Sequence, residues 1–240
     1  KLRRMAAEGK TAEELSAARE EMLGKIYGFL CSCYGEPPKA FDFEYVDCDK
    51  VYHLEKGYTP IRFAQDYVGD ALSRMVSIIN APTQDKPFHK TFTVRLLGNV
   101  VGGKGVKYLN LPMDEFKQAV IAQLQDGKVV WFGSDVGKFG EREKGIWDDG
   151  CFDFETLTGL DLDLSKEDAL NCWFAAMNHA MVLTGVNLDE NGKPTRWKIE
   201  NSWGDKNGAK GYYVCSDSWF DQYVFQAAVE EEFLGAMQSL

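Results

Sequence analysis

Trp197-Lys198-Ile199-Glu200-Asn201-Ser202-Trp203-Gly204 alternates like an extended strand, with Trp197, Ile199, Asn201 and Trp203 on one face and Lys198, Glu200 and Ser202 on the other. Asn201 is the polar exception on the apolar face. Two roles fit it. It is either a turn or strand-end amide bonded to the backbone ahead of Gly204, or an amide whose oxygen accepts an imidazole proton and so fixes the orientation of a ring. The ring for the second role stands upstream, in the strand-like run Met177-Asn178-His179-Ala180-Met181-Val182-Leu183. Taken alone, His179 reads as a core histidine satisfied by a backbone carbonyl. Paired with Asn201, it reads as an imidazole with one nitrogen held and the other facing a thiol, its held bond shielded from water by Trp203.

Outward from this pair, strand-like runs recur at 129–132, 179–184, 196–203, 211–215 and 223–229, with an earlier β-prone run at 91–97 before a glycine-punctuated loop. Helical patterns come earlier. Residues 11–33 carry the apolar stripe Leu15, Met22, Leu23, Ile26 and Leu30, with Thr11 and Glu14 placed as a capping box and Pro37 and Pro38 beyond the end. Thr59 before Pro60 marks another start, with Phe63 and Tyr67 four apart; 112–126 forms a third helix stopped by Gly127, and Ser165 with Asp168 opens a fourth. The pattern predicts an α+β chain: a mainly helical region over 1–90, then a mostly antiparallel sheet or barrel subdomain over 91–240 that carries His179 and Asn201.

A chain of 240 residues that is 45% hydrophobic is long and apolar enough for a packed core. Its formal charge of -10 repels polyanions, which disfavours nonspecific contact with nucleic acid or anionic membrane. Apolar stretches such as 180–183 fall far short of the roughly 18 to 20 residues needed to span a bilayer, and a soluble chain is expected. The start at Lys1 has the look of a cut end and none of the features of a secretory signal. Six cysteines without a regular framework read most simply as free thiols in a reducing cytoplasm, with a mature secreted fragment as the alternative. The three separated histidines make no zinc motif, Asp161, Asp163 and Asp189 lack calcium-loop spacing, and the glycines around Lys104 do not form a phosphate loop. No metal or organic cofactor is expected, and Asp135 reads as a turn or structural hydrogen-bond acceptor.

Asn178-His179-Ala180-Met181, with Asn201-Ser202-Trp203-Gly204 following 22 positions after the histidine, resembles the histidine and asparagine segments of papain-like cysteine peptidases. Gly35-Glu36-Pro37-Pro38, Tyr58-Thr59-Pro60, Val101-Gly102-Gly103, the run 130–138 and Lys210-Gly211-Tyr212 resemble the aminopeptidase C and bleomycin hydrolase branch in particular. The resemblance implies the C-terminal part of a papain-like fold and thiolate hydrolysis of peptides with recognition of the substrate's amino-terminal residue. It implies that His179 pairs with a cysteine and protonates the leaving amine, that Asn201 orients it, and that Trp203 covers their bond. It further implies a cytoplasmic homo-oligomer, commonly a hexameric barrel with inward-facing sites.

The same resemblance calls for a nucleophile segment of the type Gln-x5-Cys-x-x-Cys-Trp upstream, which these 240 residues do not contain. Cys31 and Cys33 lack the glutamine and tryptophan, and Cys172 stands only seven residues before His179. The expected partners are therefore peptide substrates and an N-terminal cysteine-bearing segment, and the chain alone is expected to be inactive. The end Phe233-Leu234-Gly235-Ala236-Met237-Gln238-Ser239-Leu240 lacks the tail that in relatives reaches into the cleft, which leaves endopeptidase behaviour open. The alternative is a noncatalytic binding or structural module that keeps the half-fold as a scaffold.

Overall fold

The computed structural model describes residues 1–98 and 102–239; Val101 of the Val101-Gly102-Gly103 stretch and Leu240 at the chain end lie outside them. The chain divides into two compact units, Lys1–Asp70 and Ala71–Leu240.

In the first unit, a short helix α1 (Leu2–Ala7) precedes the long helix α2 (Ala12–Tyr34). Thr11 caps α2 as its spacing predicts: its hydroxyl accepts the Glu14 N–H at 3.2 Å and the Glu14 carboxylate accepts the Thr11 N–H at 2.9 Å. Helices make up most of the regular structure here, but the sequence reading missed one feature: β1 (Phe41–Val46) and β2 (Tyr52–Tyr58) pair as an antiparallel hairpin. Phe41, Phe43 and Tyr45 have a period of two, which only a strand turns into one aromatic face. Phe63, at the end of α3 (Pro60–Phe63), meets that face with its ring 4.8 Å from Phe43. Thr59 caps α3 through the Arg62 N–H.

The second unit starts with α4 (Ala71–Arg74), β3 (Met75–Ile79), β4 (Lys90–Phe92), β5 (Tyr108–Asn110), α5 (Met113–Gln125) and β6 (Val130–Ser134). It continues through β7 (Gly140–Glu141), β8 (Ile146–Trp147), α6 (Phe154–Thr158), α7 (Lys166–Asn171), β9 (His179–Leu188), β10 (Pro194–Glu200), β11 (Tyr212–Ser216), α8 (Asp217–Tyr223) and β12 (Val224–Glu230). Among the described residues these strands form one sheet in the order β4-β5-β3-β12-β6-β9-β10-β11-β8-β7. Neighbours are antiparallel except β3 with β5 and β11 with β8. The boundary expected at residue 90 falls at Asp70 instead, because β3 satisfies its backbone by pairing with β12 inside the same sheet.

Trp197 and Ile199 of β10 are fully buried while Lys198 and Glu200 face outward, as the alternation requires. Phe116, Ala119 and Val120 of α5 and Trp219 and Phe220 of α8 complete the core, and Phe220 stacks on Trp197 at 4.2 Å. Asp189 closes the hairpin between β9 and β10 by accepting the Asn191 and Lys193 N–H groups at 2.8 Å each. The start of β9 and the end of β10 therefore lie at the same end of the hairpin, which is what brings His179 and Asn201 together.

At the start of α7, Lys166 is buried with its ammonium donating to the Val224 carbonyl. Burial pushes its pKa well below the usual lysine value; Lys117 adds to this and Asp221 opposes it. Between the lowered folded-state value and the ordinary one, the unfolded chain binds more protons, so unfolding free energy should rise with pH across that window. Lys166→Met should remove most of this slope and leave the chain at least as stable at neutral pH. Urea melts of both proteins at neutral and alkaline pH check it, and an unchanged slope would clear Lys166 of the effect.

Candidate active site

His179 is the first residue of β9 and Asn201 the first residue past β10. The imidazole Nε2 lies 2.9 Å from the Asn201 side-chain oxygen. That oxygen also accepts the Ser202 backbone N–H at 2.8 Å. A backbone N–H can only donate, so the Ser202 contact fixes which end of the amide is oxygen. Nε2 must then be the donor to Asn201, and in the neutral ring Nδ1 is left as the bare, basic nitrogen. Nδ1 makes no hydrogen bond among the described residues. The arrangement holds one nitrogen of the ring and leaves the other for proton transfer.

Strand pairing was expected to run to residue 203, but β10 ends at Glu200. The Asn201 oxygen takes the next N–H in the chain, and the backbone then turns through Gly204 at φ +81°. The Asn201 N–H still donates to the Gly211 carbonyl at 3.1 Å, so the amide's own backbone stays anchored. Gly211 has φ +86°, and a Cβ there would stand 3.0 Å from the Gly204 carbonyl oxygen, so glycine is what lets the two arms of this loop approach. The Asn201 Nδ2 is buried without an acceptor among the described residues.

Trp203 lies against His179 with ring centroids 4.9 Å apart and planes at 30°. Its other neighbours are Tyr213, edge-on at 5.9 Å, and Trp147 at 6.2 Å, so the indole is wedged between the core and the imidazole. The Arg142 guanidinium stands over the same indole at 4.5 Å, a neighbour that nothing in the sequence placed here. On the strand beside β9, Ser134 is the register partner of His179, and a Cβ at Gly133 would overlap the Met177 sulfur. Glycine there lets the chain leading to His179 lie close on β6.

None of the six cysteines is hydrogen-bonded to His179. Cys215 is buried in the core, where desolvation pushes its thiol well above the usual range. Cys172 is exposed, and its thiol donates to the Ala169 carbonyl at 3.9 Å. Glu155, Asp161 and Asp163 bring carboxylate oxygens within 4.8 Å of one another on the surface. Glu155 accepts the Leu162 N–H and Asp161 the Asp163 N–H, so loop closure accounts for the cluster. Among the described residues, no helix is long and apolar enough to cross a membrane.

A family model described as the Peptidase C1-like family matches residues 1–239. The chain belongs to the Peptidase C1-like family. It is 51% identical to Aminopeptidase C of Lactobacillus delbrueckii subsp. lactis over 233 residues, covering 97% of this chain and 52% of that protein. With Aminopeptidase C of Streptococcus thermophilus it shares 50% identity over 235 residues, 98% of this chain and 53% of that protein. The crystal structure of PepW from Lactobacillus rhamnosis superimposes with a TM-score of 0.92 at 47% identity, covering 99% of this chain and 53% of that one. The chain thus spans about half the length of the curated relatives it matches. The α+β, mostly antiparallel fold expected from the sequence is the one found, and it is that of a Peptidase C1-like protein.

If the indole keeps water off the Nε2 bond, Trp203→Ala should speed solvent exchange of the His179 Nε2 proton several-fold, as read by NMR. The variant should remain folded at a cost of roughly 3 kcal/mol, the low end for a truncated tryptophan because this one is only partly buried. An unchanged exchange rate in the folded variant would show that the indole does not shield.

Proposed function

We propose that this chain is the histidine- and asparagine-bearing portion of a cysteine aminopeptidase that hydrolyses peptide bonds. The observation that carries this reading is the Nε2 bond from His179 to Asn201, whose direction the Ser202 N–H fixes. The names of the relatives, Aminopeptidase C at 51% and 50% identity, supply the reaction class.

In this reading the nucleophile is a cysteine on a segment outside these 240 residues, which the greater length of the relatives supports. Its thiolate, paired with protonated His179, attacks the scissile carbonyl carbon. The carbon–nitrogen bond breaks as Nδ1 gives its proton to the leaving amine, and a thioester forms. Water then gives a proton back to Nδ1 and attacks the thioester, releasing the carboxylic acid and restoring the ion pair. Asn201 contributes by holding Nε2 throughout, so that proton exchange takes place at Nδ1. Trp203 limits competition by water for the held bond.

The cysteine-bearing segment is one proposed partner and peptide substrates are the other. Exposed apolar side chains on α2, among them Phe29 at 68% and Tyr34 at 86% exposure, support association with further protein, either that segment or other copies in a homo-oligomer. A cytoplasmic site of action fits the six free thiols.

The 240-residue chain alone should not turn over a fluorogenic aminoacyl substrate, and co-expression with the cysteine-bearing segment of a close relative should give a soluble, active complex. Activity should vanish in His179→Ala and fall less severely in Asn201→Ala, since the first removes proton transfer and the second only loosens it. A stable complex that stays active with His179→Ala would make His179 a core histidine and end this reading.

A further inference from the structure

The approach to His179 is irregular and largely exposed. Between the end of α7 and the start of β9, Trp173 adopts φ +61° and is 86% exposed, and Phe174 and Met177 are also exposed. Pairing with β6 and β10 holds the chain after His179, but the chain before it has few anchors. Two come from one side chain: the Asp135 carboxylate, just past β6, accepts the Ala176 N–H at 3.2 Å and the Asn178 side-chain amide at 2.6 Å. Asn178 answers by accepting the Val136 N–H at 3.1 Å through its own oxygen, and its backbone N–H donates to the Ser134 carbonyl at 3.0 Å.

Asp135 is itself firmly held. It is 4% exposed, it accepts a third hydrogen bond from the Gly137 N–H at 3.1 Å, and its backbone N–H donates to the Tyr223 carbonyl at 3.0 Å. The residues after it are pinned by two core indoles: Trp147 donates to the Val136 carbonyl at 3.2 Å and Trp219 to the Lys138 carbonyl at 2.9 Å. All three donors to the carboxylate are neutral groups, and between them they occupy both of its oxygens. A neutral isostere cannot replace it. An amide has one acceptor oxygen, and its nitrogen would confront either the Ala176 N–H or the Asn178 amide donor.

We propose that Asp135 is a positioning residue for His179: from a base fixed by Trp147 and Trp219 it clamps residues 176–178, and so sets the ring that donates to Asn201. This rests on His179 being the imidazole of the peptidase site. It adds that the ring's orientation is set from both sides, by Asn201 at the ring and by Asp135 at the backbone leading to it. Asp135 touches no reacting atom in this scheme and acts only through Asn178 and the Ala176 backbone.

The test is nitrogen-15 and carbon-13 NMR of the His179 ring in the 240-residue chain, which reads the ratio of Nε2–H to Nδ1–H tautomers. In the wild type Nε2–H should dominate. Asp135→Asn should lower the ratio by about fivefold, the equilibrium equivalent of one ordinary hydrogen bond, while circular dichroism shows the fold retained. If Asp135→Asn does not fold, Asn178→Ala decides, because it cuts the link from the exposed side and should lower the ratio in the same direction. Asn201→Ala is the reference and should collapse the ratio. If Asn201→Ala collapses it and a folded Asp135→Asn or Asn178→Ala leaves it unchanged, the positioning role is wrong and the site reading stands. If Asn201→Ala leaves it unchanged, the His179 to Asn201 reading fails, and the role of Asp135 fails with it.

Discussion

The antiparallel register of β9 and β10 is the constraint on which the rest of the site depends. Pairing of Trp197 with Val186 and Ile199 with Leu183 places the first residue of one strand beside the residue just past the other, and a separation of 22 residues becomes a 2.9 Å hydrogen bond. A slip by one residue would turn Trp197 and Ile199 out of the core and carry Asn201 to the wrong face. The hydrophobic burial that fixes the register therefore also fixes the imidazole. Sheet stability and site geometry are the same fact seen at different residues.

The polar groups around this sheet extend the principle. Lys117 of α5 is buried and reaches the Asp217 carboxylate at 2.7 Å and that of Asp221, while the Trp197 indole donates to the other oxygen of Asp217 at 2.9 Å. Desolvation raises the Asp221 pKa, and the Lys117 ammonium holds it back. α5 and α8 are thus tied to one another and to the centre of β10 by groups that are costly to bury unpaired. Such a network adds little net stability, but it leaves few alternative ways to seat the helices on the sheet. Asp135 does the same on a smaller scale, fixing a loop of irregular backbone by satisfying three donors at once.

Several features were legible in the sequence because they depend on neighbours along the chain. The capping box of Thr11 and Glu14, the Thr59 cap before Pro60 and the alternation through Trp197 and Ile199 need only local geometry, and each stands where the spacing puts it. Ser165 caps α7 through the Asp168 N–H, but the Asp168 carboxylate turns to the Ser165 hydroxyl, so the reciprocal half of a capping box is absent there. β3 was missed because a run of five apolar and small residues has no period that separates strand from helix, and its partner β12 lies some 150 residues away. β1 and β2 were missed for a different reason: the alternation of Phe41, Phe43 and Tyr45 was present, but their flanking segment holds no tight-turn dipeptide to announce a hairpin.

By itself the sequence singled out the side chains of the candidate site: an imidazole and an amide on strand-like runs, with an indole close behind. Residue type and local periodicity are properties of the chain and survive without a fold. The tertiary structure alone decided which ring nitrogen is held. That rests on the Asn201 oxygen meeting both the Ser202 N–H and the His179 ring, an encounter made by strand pairing. It alone also brought Arg142 over Trp203 and Asp135 to Asn178, contacts between segments 61 and 43 residues apart. Sequence spacing says nothing about such meetings, because they are set by register and burial across the sheet, and those exist only once the chain has folded.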